Sequence, residues 1–445
     1  MNDYSLHRSA LMRRLPDGLI LLGGGVEIVR NHDNNFLFRQ DSNFLYLTGV
    51  EEPDFLLLLD PKRRQSTLLI PRIDAKHRVW LGHVPGPAEC RKLFGVPRVA
   101  YSDTLPKLLK GSRKGYRKLY SDKPTHKKFR KLFGRLPNAP QALLDTLWDL
   151  RAVKTPGELA LMRKASDISS AAHLAVMKAL RPGMREYEVQ AVFEDECLKR
   201  GARHLAFPTI AAAGTNGAVL HYRFCQAKFK PGDLLLLDAG AEVHGYAGDI
   251  TRTFPAGTRF TRRQKDVYSV VLEAQKACID KARAGVTSIE LHSLSMTKLA
   301  EGLKSMKILK GDTAGLVEGG AIRLFYPHGI GHLMGLDVHD GAGGKRRKIP
   351  NPKKIPIRFE ARLEPGFVIT VEPGIYFIRA LLCDPEERSK HRGSVDFSRA
   401  ETFLDFGGVR IEDDVVIRPH GPPLNLTSVP KEIRDIEALR WRSRN

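Results

Sequence analysis

The sequence predicts a two-domain protein of the α+β class. Its 445 residues are more than one hydrophobic core usually supports, so two domains are expected. Hydrophobic residues make up 42% and charged residues 27% of the chain, which is typical of a globular protein and excludes a disordered or fibrous one. In the second part of the chain, helices follow helices and strands follow strands, which favours α+β over a doubly wound parallel sheet.

The first part of the chain combines short apolar runs with basic helical stretches. The runs at 19–22, 55–59 and 66–70 have the length and residue types of strands. This mixture predicts a small α/β domain over residues 1–151. Pro156 then suits the first turn of a helix, so a second domain is expected over 152–445.

The second domain is predicted to contain two pairs of helices. The first pair is expected at 156–178 and 186–199, and the second at 263–284 and 289–303. Strands are expected between the two pairs and again after the second pair.

Cysteine usage and the start of the chain bear on location. The five cysteines are scattered and form no CxxC pair, which argues against a disulfide framework or a zinc knuckle. The apolar run at 19–22 is too short for a signal sequence or a membrane span. We therefore expect a cytoplasmic protein with no membrane attachment.

The formal net charge of +22 is concentrated in two basic runs, at 107–135 and 345–358. Such runs attract polyanions of any kind. Because no recognised nucleic-acid module accompanies them, we expect solvated charged surfaces and no specific binding of nucleic acid.

Two aspartates flank a predicted hairpin turn in the segment PGDLLLLDAGAEVHGYAGDITRTF. A turn within 243–245 would place Asp238 opposite Asp249, with Cβ atoms about 4.5–5.5 Å apart. That spacing suits ions roughly 3.5–4 Å apart. Taken alone, the pair could equally be one turn residue and one solvent-facing residue.

Two glutamates lie in strand-like apolar runs, Glu372 in GFVITVEPGIYF and Glu412 in GGVRIEDDVVI. Strand alternation sends Arg410 to the same face as Glu412. A carboxylate within a core strand is costly unless it is paired or binds metal. Two divalent cations would balance the charge of these four carboxylates.

Three histidines, His328, His332 and His339, lie close together in YPHGIGHLMGLDVHD. A single histidine is more often structural. Three among glycines, which allow close backbone approach, favour a functional site.

These blocks in this order resemble the proline-specific pita-bread metallopeptidases, the aminopeptidase P and Xaa-Pro dipeptidase (prolidase) family. The resemblance also includes AVLHY, with His221, and the N-terminal blocks FLFRQDSNFLYLTGVEEPD and IPRIDAKHRVWLGH. It covers nearly the whole chain. It implies a pita-bread catalytic domain preceded by an N-terminal domain of the aminopeptidase P type.

The resemblance also implies a ligand set and a mechanism. Two metal ions per subunit would be held by Asp238, Asp249, His332, Glu372 and Glu412, with Asp249 and Glu412 shared. A metal-activated hydroxide would cleave the bond before proline, with Glu372 transferring protons and His339 or His221 stabilising the oxyanion. The carboxylate-rich set favours Mn²⁺, with Co²⁺ and Zn²⁺ as alternatives.

Substrate binding is expected to involve His221, His328, His339, Arg358 and Arg410. Arg358 stands where prolidases carry an arginine implicated in holding the dipeptide carboxylate, and the stretch 381–406 is longer than in aminopeptidase P. Both features favour a dipeptidase. Phe207 departs from the family pattern, because many relatives carry tyrosine at this position.

Other readings remain open. The alternative enzyme is an aminopeptidase P acting on longer peptides, and a methionine aminopeptidase is disfavoured by the N-terminal domain. A different class would be a non-catalytic binding protein with a basic surface. The expected partners are a small peptide with proline in second position and, from family membership, a second copy of the chain in a homodimer.

Overall fold

The computed structural model describes residues 3–74, 78–80, 82–133, 137–341, 347–352 and 355–443. The chain divides into two compact units, one formed by residues up to Gly157 and the other beginning at Glu158. The predicted domain boundary at 151 falls in the last turn of the helix Pro140–Ala152. It stays a prediction.

The first unit is built on one mixed sheet. Its strands are β1 (Gly18–Gly23), β2 (Val29–Asn31), β3 (Asn34–Asn35), β4 (Leu56–Asp60), β5 (Gln65–Ile70), β6 (Arg98–Tyr101) and β7 (Lys118–Tyr120). Five of them form a sheet in the order β6-β5-β4-β1-β7, in which β5–β6 and β1–β7 are parallel. The strands β1 and β4 are almost entirely buried, as expected for continuous apolar runs covered on both faces.

Helices complete this unit at Tyr4–Arg14, Ser42–Thr48, Pro87–Phe94, Leu105–Ser112, Lys123–Phe133 and Pro140–Ala152. Leu19, Leu58 and Leu69 of the sheet form a core with Phe133 of a helix. The three predicted apolar runs all became strands of the sheet, so the predicted α/β character is confirmed.

Two pairs of long helices form much of the second unit, Pro156–Ala179 with Glu186–Lys199 and Arg262–Lys281 with Ser288–Ser305. The first of these helices begins two residues before the unit does. Thr261 and Thr287 cap the second pair by accepting hydrogen bonds from the backbone N–H groups of Gln264 and Glu290. Shorter helices follow at Thr313–Glu318, Arg379–Leu382, Pro385–His391, Phe397–Glu401 and Ile433–Arg442. Of the helices in the described ranges, none is both long and apolar enough to cross a membrane.

The strands of the second unit pair only in antiparallel fashion within its described residues. They are β8 (His204–Leu205), β9 (Ile210–Ala213), β10 (Leu234–Ala239), β11 (Ala241–Val243), β12 (Tyr246–Ala247), β13 (Ile250–Pro255), β14 (Val368–Val371), β15 (Gly374–Tyr376), β16 (Gly408–Arg410), β17 (Asp413–Val416) and β18 (Leu424–Asn425). The sheets are β13-β10-β9, β12-β11-β8, β14-β17-β18 and β15-β16. This architecture confirms the predicted α+β class.

The cations of the two basic runs can be described by their exposure and by their ion pairs. Every lysine and arginine from Lys107 to Lys131 is exposed, and Lys118 forms an ion pair with Asp17 at 3.1 Å. In the second run, Arg347 and Lys348 pair with glutamates 2.9 and 2.8 Å away. The predictions for Arg135, Lys345, Arg346, Lys353 and Lys354 concern residues outside the described ranges.

Candidate active site

The structure brings all ten predicted site residues to one cavity of about 390 Å³ in the second unit. Apolar side chains, among them Phe207, Ile210 and Leu220, form part of its wall. The predicted residues that line it are Asp238, Asp249, His332, Glu372, Glu412, His221, His328, His339, Arg358 and Arg410.

The two aspartates are not directly opposite each other, so this part of the prediction is wrong. Asp238 pairs with Thr251 across β10 and β13. The turn does fall within 243–245, at His244 and Gly245, whose φ angles are 48° and 81°. A two-residue turn with both φ positive sets the register, and this one makes Asp249 a diagonal neighbour of Asp238. Both aspartates are buried, which excludes a solvent-facing alternative.

The prediction that each carboxylate lies within a strand is also wrong for three of the four. Asp249 directly precedes β13, Glu372 follows β14, and Glu412 lies between β16 and β17. At these breaks the chain passes from one sheet to another, and the backbone N–H of Glu372 bonds to the carbonyl of Ile330 at 2.8 Å. The side chains of all three residues line the cavity.

The two glutamates nevertheless face each other. Val371 pairs with Asp413 and Gly374 pairs with Arg410. Continued across the break, this register places Glu372 opposite Glu412. The predicted common face of Arg410 and Glu412 is present, because both line the cavity.

His332 presents one nitrogen to the carboxylates. Its Nδ1 lies 3.1 Å from the carbonyl oxygen of Leu333, so this nitrogen carries the proton and donates. The other ring nitrogen, Nε2, carries no proton and lies 3.4 Å from Oδ2 of Asp249 and 3.7 Å from Oε1 of Glu372. A fixed tautomer of this kind is what a metal-binding histidine requires. Potential ligand atoms of Asp249, His332 and Glu412 all lie within 4.8 Å of one another.

The electrostatics of the carboxylates fit bound cations. Burial, followed by the negative charges of its neighbours, raises the pKa of Asp249 well above its ordinary value, and the same causes raise the pKa of Glu412. Burial raises the pKa of Glu372 to about 7. Oδ1 of Asp238 is buried without a hydrogen-bond partner. Divalent cations would remove both the repulsion and the unsatisfied oxygen, so the donor set fits a metal centre.

A buried arginine forms hydrogen bonds with one carboxylate of this cluster and with two hydroxyl groups beside it. Arg410 donates to Oδ2 of Asp238 at 2.6 Å, to the hydroxyl of Tyr376 at 2.8 Å and to that of Thr251 at 3.1 Å. The Thr251 hydroxyl in turn donates to Oε2 of Glu412 at 2.6 Å. Sequence reasoning missed Thr251 and Tyr376. Strand alternation could have found Thr251, two residues after Asp249, whereas nothing in the sequence marks Tyr376.

The remaining histidines are held in the neutral form. Burial lowers the pKa of His328 to about 3, and desolvation with the charge of Arg358 lowers that of His339 to about 4 and also lowers that of His221. Both ring nitrogens of His328 are engaged, Nδ1 with the carbonyl of Gly329 and Nε2 with the hydroxyl of Tyr376, each at 2.8 Å. His221 and His339 are exposed at the cavity wall.

Comparison with known proteins identifies the chain. A family model described as metallopeptidase family M24 matches residues 160–419, and one described as the N-terminal domain of aminopeptidase P matches residues 4–120. The chain belongs to metallopeptidase family M24. The predicted family resemblance and the predicted pita-bread fold are thereby confirmed.

Individual members of the family are similar over nearly their whole length. Xaa-Pro dipeptidase of Homo sapiens is 35% identical over 456 residues, covering 98% of this chain and 92% of that protein. Xaa-Pro aminopeptidase of Escherichia coli strain K12 is 34% identical, with 98% and 97% covered. The solved structure of Pseudomonas aeruginosa aminopeptidase PepP has a TM-score of 0.85 at 33% identity, covering 99% of this chain and 98% of that one.

Proposed function

We propose that this M24 protein hydrolyses the peptide bond before proline, using two divalent metal ions. The observation that carries the proposal is the buried carboxylate cluster that faces the free Nε2 of His332 within one cavity. Two relatives that are named for action on Xaa-Pro peptides, and that match nearly the whole chain, support the specificity.

Asp238, Asp249, His332, Glu372 and Glu412 would hold the ions. When bound, such ions lower the pKa of a coordinated water and polarise a carbonyl group. Carboxylate and imidazole ligands suit a hard ion, whereas thiolate ligands suit softer ions. We therefore expect Mn²⁺ to be the metal in the cell, with Co²⁺ and Zn²⁺ as alternatives.

The protein's own groups then have defined tasks. Glu372 lines the cavity beside the other carboxylates, and it is suited to accept a proton from water and to donate it to the leaving proline nitrogen near neutral pH. His221 and His339, neutral at this pH, can donate an N–H to the developing oxyanion. The proline nitrogen of the substrate carries no N–H, so this part of the substrate needs no hydrogen-bond acceptor from the protein. The apolar cavity wall near Phe207 suits the proline ring.

Dipeptides are the proposed substrates because of Arg358. This side chain is exposed at the cavity, and within the described residues no carboxylate pairs with it. It is therefore available to bind the free carboxylate of a C-terminal proline through two parallel hydrogen bonds. Arg410 is already engaged by Asp238 and Tyr376, so its proposed contribution to substrate binding is indirect.

Aminopeptidase P activity on longer peptides is the second candidate. It is favoured by the match of residues 4–120 to the aminopeptidase P N-terminal domain and by the aminopeptidase P structures, which the chain covers almost completely. The homodimer and the cytoplasmic location remain predictions. Sedimentation analysis of the purified protein would test the dimer.

Chelation, substitution of the ligands and metal analysis together test whether hydrolysis depends on bound metal. Chelation should abolish hydrolysis of Ala-Pro, and added Mn²⁺ should restore it. Asp249→Asn and Glu412→Gln should abolish activity by loss of a metal ligand, with circular dichroism spectra unchanged. An active preparation with only trace metal would contradict the proposal.

A further inference from the structure

A buried glutamate outside the cavity contacts both ends of the segment that carries His221. Glu186 is the first residue of the helix Glu186–Lys199, and its side chain is fully buried. Its Oε1 accepts the backbone N–H of Ala213 at 2.7 Å, and its Oε2 accepts that of Ala227 at 2.8 Å. Ala213 and Ala227 delimit the segment 213–227.

The same carboxylate also contacts the middle of the segment. Oε1 accepts the side-chain amide of Asn216 at 2.8 Å, and Oε2 accepts the hydroxyl of Tyr222 at 2.8 Å. The Asn216 amide additionally donates to the Tyr222 hydroxyl at 2.9 Å. Four donors therefore converge on one buried carboxylate, and all four belong to this segment.

The segment itself has little regular structure to hold it. After the short 3₁₀ helix Gly214–Ala218, residues 219–226 belong to no helix or strand. Yet three of its side chains, Leu220, His221 and Arg223, line the cavity. Tyr222, next to His221, is buried among Ile210, Leu236 and Tyr376. The anchored side chains of Asn216 and Tyr222 lie on either side of His221 in the sequence, so they restrain the backbone that carries its ring.

We propose that Glu186 is a positioning residue for His221, acting as a four-point clamp on the segment 213–227. The proposal rests on the assignment of His221 to the substrate site, but the clamp itself is a property of the fold. Loss of the clamp should free the segment while leaving the metal ligands in place, because none of them belongs to it.

The test uses the full-length Glu186→Gln variant. The substitution keeps the side-chain volume but replaces one acceptor oxygen by an NH₂ group, which then faces two donors. Hydrogen exchange measured by mass spectrometry should accelerate at least tenfold within 213–227 and little elsewhere. Asp195→Asn, at an exposed position of the same helix, is the matched control and should leave exchange in the segment unchanged. Unchanged exchange in 213–227, or acceleration throughout the second unit, would overturn the proposal.

A kinetic cycle separates positioning from general stability. In the metal-loaded enzyme, His221→Ala should lower kcat/KM for Ala-Pro much less in the Glu186→Gln background than in the wild type, because the ring is already displaced. Metal content should be equal in all four proteins. Independent, multiplicative losses would contradict the proposal. If Glu186→Gln does not fold, Tyr222→Phe removes one of the four donors and should loosen the same segment to a smaller extent.

The exchange measurement needs no substrate, so the two proposals can fail separately. A wild-type enzyme that cleaves no Xaa-Pro bond would end the proposed function. The clamp would still be decided by exchange in 213–227.

Discussion

Nε2 of His332 lies 3.4 Å from Oδ2 of Asp249, while its Nδ1 is fixed by the carbonyl of Leu333. His332→Ala should therefore weaken Mn²⁺ binding by at least about a hundredfold, since loss of even an outer partner of a ligand commonly costs 10–100-fold. Calorimetric titration of the metal-free protein with Mn²⁺ measures this. His420→Ala removes an exposed histidine and should bind Mn²⁺ as the wild type does. Equal affinity in the two variants would exclude His332 as a ligand.

The raised pKa of Glu372 predicts how the metal-free protein responds to pH. Its pKa rises from 4.5 to about 7 on folding, so between these values the folded state holds the extra proton. The free energy of unfolding of the metal-free protein therefore decreases as the pH rises from about 4.5 to about 7, where the folded state loses this proton. In the presence of a chelator, Glu372→Gln should be more stable than wild type at pH 8, by roughly 3 kcal/mol at most, and the difference should shrink toward pH 5.

Urea unfolding at several pH values measures this difference. Glu386→Gln, an exposed position, serves as the control and should show a constant difference from wild type. With Mn²⁺ present, the order should reverse, because the variant has lost a ligand. A chelated variant that is less stable than wild type at pH 8 would contradict the electrostatic account.

Much of the architecture could be predicted from the sequence, for a physical reason. Periodicity and capping are local, so the helix predicted at 186–199 was found as Glu186–Lys199 and that at 156–178 as Pro156–Ala179. The candidate site residues could also be predicted. A carboxylate in an apolar run, such as that of Glu412, is costly to bury without a cationic partner, whatever the tertiary structure is.

The arrangement within the site could not be predicted, because it depends on register and on contacts distant in sequence. Asp238 faces Thr251 instead of Asp249 because the turn at His244 and Gly245 lies one position further along than symmetry requires. Neither the clamp by Glu186 nor the bond from Arg410 to Tyr376 leaves a local signal in the sequence.

Arg358 should control the preference for dipeptides. Arg358→Ala should reduce kcat/KM for Ala-Pro by about ten- to a hundredfold, the equivalent of roughly 1.5–3 kcal/mol for a hydrogen bond to a charged group. Cleavage of Ala-Pro-Ala should suffer much less or improve, because an amide replaces the carboxylate there. Lys348→Ala, in the same basic run, should affect neither substrate. Equal losses on both substrates would favour aminopeptidase P activity.

The exposed cations between Lys107 and Lys131 should bind polyanions only weakly and without sequence preference. Affinity for a DNA duplex should fall by about a thousandfold or more between 50 and 200 mM salt if six or more phosphates are contacted. Fluorescence anisotropy with two unrelated duplexes measures both properties. A tight complex at physiological salt that distinguishes the two duplexes would support the binding-protein alternative.

The most direct test of a metal-dependent, proline-specific hydrolase compares three peptides on one enzyme preparation. Initial rates are measured for Ala-Pro, Ala-Ala and Ala-Pro-Ala with Mn²⁺ and, in parallel, after chelation. We expect rapid cleavage of Ala-Pro, slower cleavage of Ala-Pro-Ala, little cleavage of Ala-Ala, and none of any peptide after chelation. Cleavage of Ala-Ala as fast as Ala-Pro, or cleavage of Ala-Pro that survives chelation, would contradict it.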